Sequence, residues 1–224
     1  MTHQKHAKLP RPTIGQFARN EWAIIGTPCS VIQELAHNLL RKLSTEWQTS
    51  YVDADHQASQ IKGSKINSGC HLEYIDKISF RQWNQRSTPN KFDFQQQLTT
   101  SDVTIINGNH YKADCQIVVI DDRKKDSLYR KIDRLTRVTL FVLAPGQTEI
   151  FNFLKENISN WKDIPVVQLK ETEAIFSHIQ QSLKASISPL HGLVLAGGKS
   201  TRMGEDKGLI DYHGKPQREY VFDL

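Results

Sequence analysis

Gly197, Gly198, Ser200, Arg202 and Lys207 have the types and spacing of a phosphate cradle. Paired glycines let backbone N–H groups come close to an anionic oxygen and present several at once. Arg202 adds a planar fork of donors and Lys207 a compact positive charge, two complementary ways of holding phosphate. The apolar run Gly192-Leu193-Val194-Leu195 feeds directly into the glycines, so the loop reads as leaving the end of a strand. The chemistry this supports is binding of nucleotide phosphates. A glycine-rich turn with solvated charges is the plainer reading of the same residues.

The full pattern from Leu195 to Lys207, L-A-G-G-x-S-x-R-M-G-x-D-K, resembles the signature of the MobA-like nucleotidyltransferases, most closely the molybdenum cofactor guanylyltransferases. The resemblance implies that Leu195, Ala196 and Gly197 contact the guanine nucleotide. Gly198, Ser200 and Arg202 then face its phosphates, and Lys207 steadies them. It implies transfer of GMP from GTP to a molybdopterin-type acceptor: a phosphate of the acceptor attacks the α-phosphorus in line and expels pyrophosphate. Arg202 and Lys207 would be the catalytic residues, balancing charge on the leaving group. Magnesium is implied as the cofactor, but this chain supplies none of its ligands, because the family's two acidic positions lie well downstream. The partners implied are GTP, the molybdopterin-type acceptor and other molybdenum cofactor biosynthesis proteins. Leu209 to Pro216 resembles the family's next short strand and turn.

About 34 residues follow the start of the motif strand, whereas a doubly wound nucleotide domain needs ~100–200. The chain is therefore expected to hold only the first strand, loop and helix of a Rossmann-like domain, C-terminally truncated at residues 190–224. The 224 residues alone are expected to be inactive in transfer. Two other functions remain open. A cytidylyl- or sugar-phosphate nucleotidyltransferase shares the opening, though those more often carry Ala-Ala-Gly where this chain has Ala196-Gly197-Gly198. A non-catalytic adaptor with a vestigial transferase segment is the non-enzyme alternative.

The elements that would carry these loops follow from periodicity. Residues 21–185 alternate strands with helices, the pattern of an α/β sheet. Strands are expected at Trp22–Ile25, Ser50–Asp53, Lys77–Phe80, Asp102–Asn107, Gln116–Ile120, Val138–Leu143 and Pro165–Leu169. After the first, Val31, Leu35, Leu39 and Leu43 recur on one helix face, with Ser30 and Gln33 as a capping box. Further helices are expected at Leu128–Leu135, Thr148–Asn157 and Glu171–Lys184.

Strand, Gly26, loop and helix is where a P-loop would sit. Counting from Gly26, however, the closing Gly-Lys-Ser/Thr positions are Val31, Ile32 and Gln33, so the phosphate grip is absent. The fold class expected is therefore a P-loop-NTPase-like doubly wound sheet without a working P-loop. It resembles, by topology and a few turns, the molybdopterin-guanine dinucleotide accessory protein. Nucleotide hydrolysis is not expected there. Asp53, Asp55, His56 and His110 lie just past strand ends, where open α/β sheets bind ligands. They could form a metal or pterin site. Equally, polar residues end strands because loops need water.

Composition sets the remaining bounds. The chain carries 29 Lys and Arg against 24 Asp and Glu, a formal net charge of +5, but the charges are interspersed, so no nucleic-acid partner is expected. Residues 1–20 are free of acid and read as a solvated basic arm, with His3 and His6 solvated. There is no apolar run of ~18 residues for a membrane span and no secretory signal. Cys29, Cys70 and Cys115 are odd in number and lack metal-type spacing, which suits reduced thiols in a cytoplasm. Trp47, Trp83 and Trp161 read as packing residues.

Overall fold

The computed structural model describes residues 15–55, 63–187, 192–194, 204 and 206–224. The chain divides into two compact units, residues 1–184 and 185–224.

The first unit is built on a six-stranded sheet in the order β2-β5-β1-β6-β7-β8, every neighbouring pair parallel. Its strands are β1 (Glu21–Ile25), β2 (Thr49–Val52), β5 (Val103–Asn107), β6 (Cys115–Ile120), β7 (Val138–Leu143) and β8 (Val166–Gln168). Strands β1, β5 and β6 are buried along their whole length, as continuous apolar runs in a parallel sheet require. Because successive side chains point to opposite faces, Ile24 and Ile25 enter different cores. Ile24 packs with helices α1 (Cys29–Leu43) and α5 (Thr172–Ser186) through Leu35, Leu39, Ile175 and Ile179. Ile25 packs on the other face with Leu128 of α3 (Lys125–Tyr129) and Leu154 of α4 (Asn152–Asn157). Helices therefore cover both faces: the sheet is doubly wound.

The structure revises several local readings. The apolar stripe of α1 is Ile32, Leu35, Ala36, Leu39 and Leu43, with Val31 only half-buried. No capping box opens α1: Pro28 is its N-cap without a side-chain bond, and Gln33 instead donates to Asp53 at 2.9 Å. Lys77–Phe80 is the turn of a hairpin, not a strand. Its arms are β3 (Leu72–Asp76) and β4 (Arg81–Gln85), and Ile78 sits at a φ of 66°. Helix α2 (Lys91–Leu98) was not foreseen. It opens on an Asn90–Asp93 capping box and packs the pair Phe94 and Leu98, half-buried, against Phe17 and Ile106. The helix expected at Leu128–Leu135 stops at Tyr129 and continues as a 3-10 turn, Ile132–Arg134. Trp83 is 63% exposed and pairs with Tyr74, whereas Trp47 packs against the core.

Glu21 holds the start of β1 in place. It is buried, and its carboxylate accepts backbone N–H bonds from Gln16, Phe17, Ala18 and Asp114.

In the second unit, residues 192–194 have no regular secondary structure, so the expected motif strand is not formed in its described part. Further on, a 3-10 turn (Lys207–Leu209) precedes an antiparallel bridge between Asp211 and Pro216. Helix α6 (Gln217–Phe222) follows, with His213 stacked on Tyr220 at 4.0 Å. Among the described residues, no helix is long and apolar enough to cross a membrane.

Candidate functional site

The carboxyl ends of β1, β2 and β5 converge on a cleft of about 700 Å³ lined by Cys29, Ser30, Gln33, Asp53, Ala54, Asp55 and His110. This is where the strand order reverses about β1, the usual ligand crevice of an open parallel sheet. Two glycines turn the chain out of the strands beside it. Gly26 leaves β1 at a φ of +97°, and a Cβ there would stand 2.3 Å from the Val119 carbonyl oxygen. Gly108 leaves β5, where a Cβ would come within 3.0 Å of the Ile24 carbonyl oxygen.

Asp53 organises the polar wall. Its carboxylate accepts from Gln33 Nε2 and Tyr51 OH on one oxygen, and from the Ala54 N–H and Asn107 Nδ2 on the other. Burial alone would raise its pKa, but these donors together hold it below the ordinary carboxylate value. Tyr51 shifts the opposite way: burial and the Asp53 carboxylate both disfavour its phenolate and push its pKa up. His110 Nε2 lies 3.8 Å from Asp53 Oδ1 and 3.4 Å from Cys29 Sγ. Asn109 ties the β5 loop to the β1 loop by donating to the Thr27 carbonyl at 2.9 Å.

Asn107, the last residue of β5, donates to Asp53 and accepts from the Asn109 N–H. On the other side of β1, Asp121 ends β6 and is buried. It is fully engaged by Arg123 at 2.7 Å and Thr27 Oγ1 at 2.6 Å, and the guanidinium foremost lowers its pKa. A carboxylate so paired has little left to offer a cation. Among the described residues, no group of three or more His, Cys, Asp or Glu is placed to hold a metal ion.

Of the sequence candidates, the structure brings Asp53, Asp55 and His110 to one cleft, and His56 lies outside the described residues. Leu195, Ala196, Gly197, Gly198, Ser200 and Arg202 also lie outside them. Lys207 is described. It is exposed and opens the 3-10 turn, with Asp206 capping that turn through the Gly208 N–H at 2.9 Å. Sequence reading missed Cys29 as a member of the cleft. The available signal was a thiol directly after a strand–glycine turn, but its partner His110 lies 81 residues away.

The first unit thus defines an α/β, P-loop-like fold in which Val31, Ile32 and Gln33 stand at the closing positions of the phosphate grip. Solved structures agree on the fold. A crystal structure of molybdopterin-guanine biosynthesis protein B matches with a TM-score of 0.52 at 14% identity, covering 73% of this chain and 99% of that one. Bacillus subtilis MobB matches with a TM-score of 0.50 at 12% identity, covering 71% of this chain and 97% of the other.

The second unit carries the family signal: residues 192–224 match the MobA-like NTP transferase domain. A molybdenum cofactor biosynthesis bifunctional protein of Synechocystis sp. is 60% identical over 43 residues, 18% of this chain and 12% of the relative. A molybdenum cofactor guanylyltransferase of Xanthomonas euvesicatoria pv. vesicatoria is 58% identical over 33 residues, 15% of this chain and 18% of the relative. The chain therefore spans under a fifth of these relatives' length.

Proposed function

We propose that this chain serves molybdenum cofactor biosynthesis, with residues 192–224 contributing the nucleotide-holding edge of a guanylyltransferase and residues 21–185 an accessory module. The observation that carries this is the high local identity of the motif segment to named molybdenum cofactor proteins, joined to a first unit with the fold of molybdopterin-guanine biosynthesis protein B.

In this reading Leu195, Ala196 and Gly197 contact the guanine nucleotide, and Gly198, Ser200 and Arg202 face the phosphates of GTP. Lys207 balances the charge that grows on pyrophosphate as a molybdopterin-type acceptor takes GMP. The segment acts by positioning and neutralising, which is most of what phosphoryl transfer asks of a protein. Magnesium, implied by the family resemblance, finds no three-ligand site among the described residues, so no step is assigned through it.

The first unit acts by binding and not by hydrolysing nucleotide. Val31, Ile32 and Gln33 stand where glycine, lysine and a hydroxyl would be needed, and Asp121 is committed to Arg123 and Thr27. The test is transfer of label from α-labelled GTP to molybdopterin cofactor by the protein purified at the length its source cells make, with Lys207→Ala as the variant. Label transfer lost in the variant supports the reading, and unchanged kinetics remove Lys207 from the mechanism.

A further inference from the structure

The cleft at the ends of β1, β2 and β5 places a nucleophile beside a base that nucleotidyl transfer does not use. We infer that Cys29, with His110 as the base that takes its proton, is a modification site for small disulfides that enter the cleft. The inference does not rest on the proposed transferase function.

Cys29 Sγ lies 3.4 Å from His110 Nε2, within reach for transfer of the thiol proton to the ring. Asp53 Oδ1, 3.8 Å from the same nitrogen, stabilises the imidazolium once it forms. Asn109 Nδ2 donates to the sulfur at 3.6 Å, a bond that favours the thiolate. Cys29 is also the first residue of α1, a helix of 15 residues with no acidic side chain in its first turn, so the positive end of the helix faces the sulfur.

Among the described residues, the groups around the thiol come from several neighbouring elements. Tyr51 and Asp53 stand on β2 and its end, Asp55 in the following loop, His110 after β5, and Lys131 beyond α3. The carboxylates oppose a negative sulfur. Asp53, however, has its charge shared among Gln33, Tyr51, Ala54 and Asn107. In the exchange, Cys29 gives its proton to His110, and the thiolate attacks one sulfur of the disulfide. The new Sγ–S bond forms as the old S–S bond breaks, oxidising Cys29 and reducing the departing sulfur. The leaving thiolate then takes the proton back from the imidazolium.

The chain carries its own controls. Cys115 is buried in the core, and burial pushes its thiol up to about 11. Cys70 is half-buried and donates its proton to the Leu72 carbonyl at 2.9 Å. The experiment exposes the full chain at pH 7 to iodoacetamide and, separately, to oxidised glutathione, and reads each cysteine by peptide mass spectrometry. The expected result is labelling of Cys29 about tenfold or more faster than Cys70, with the mixed disulfide at Cys29. His110→Gln should bring Cys29 down to the rate of Cys70 while Cys115 stays protected.

Equal rates for Cys29 and Cys70 in the native chain overturn the inference. So does an unchanged Cys29 rate in the variant with Cys115 protected. If Cys115 becomes labelled in the variant, the fold has opened, and the native chain's pH profile decides. A paired thiol keeps its rate well below pH 8.5, whereas an ordinary one loses about tenfold per pH unit there.

Discussion

Glu21→Gln is a near-isosteric change that tests whether a buried carboxylate with four backbone donors holds the sheet's first strand in place. One oxygen accepts from Gln16 at 2.8 Å and Asp114 at 2.7 Å, and the other from Phe17 at 2.8 Å and Ala18 at 3.0 Å. An amide has one acceptor end. Whichever way it turns, its NH₂ meets two backbone N–H groups, either Phe17 and Ala18 in the core or Gln16 and Asp114 in part-buried positions, and both lose their partner. Each stranded donor costs roughly 1–3 kcal/mol, so the variant should lose about 2–6 kcal/mol. With a urea m-value of about 2–3 kcal/mol/M, the unfolding midpoint should fall by roughly 1–2 M. Trp22, buried beside Glu21 on β1, is the natural fluorescence reporter. A midpoint within about 0.3 M of the native chain, with the m-value unchanged, would refute the reasoning.

Other predictions follow from the same geometry. Gly26→Ala places a Cβ 2.3 Å from the Val119 carbonyl oxygen at a φ of +97°, and should cost about 1–3 kcal/mol or more in denaturant unfolding. A loss under about 0.5 kcal/mol would mean the turn is not strained. Thr27→Val leaves buried Asp121 without its 2.6 Å hydroxyl donor and should destabilise by about 1–3 kcal/mol, measured the same way. Glu73 is held down to about 2, first by the Ser64 hydroxyl, then by the Lys65 N–H and Asn84. A depressed carboxylate contributes stability above its unfolded pKa and loses it as pH falls through the folded one. The hairpin should therefore loosen between about pH 4.5 and 2, seen as a change in Trp83 emission that Glu73→Gln brings to neutral pH. A flat emission profile across that window would contradict the assignment.

The parallel strands were legible because β1, β5, β6 and β7 are short β-branched runs bounded by turn residues, a signal that survives without tertiary context. The hairpin was misplaced because Lys77-Ile78-Ser79-Phe80 alternates like a strand, while the true arms expose Leu72, Tyr74 and Trp83 and so blur the period-2 signal. Helix α2 escaped because it is short and its apolar face is only Phe94 and Leu98, and Gln33 was misread because its partner Asp53 is 20 residues distant. The cleft was half legible for the same reason. Asp53, Asp55 and His110 show themselves as polar residues after strands, but Cys29 joins them only when β1 and β5 pair. The motif at Leu195–Lys207 is the opposite case: its chemistry lies in contiguous residues and can be read without any fold.

The most direct measurement concerns that motif. The protein, purified at the length its source cells make, is given α-labelled GTP, molybdopterin cofactor and magnesium, with excess unlabelled GTP or CTP as competitor. The predicted result is labelled GMP on the cofactor with pyrophosphate released, suppressed by GTP but not by CTP, and abolished by Lys207→Ala. Transfer that CTP suppresses equally, or that survives Lys207→Ala unchanged, contradicts a guanylyl-transfer role for residues 192–224.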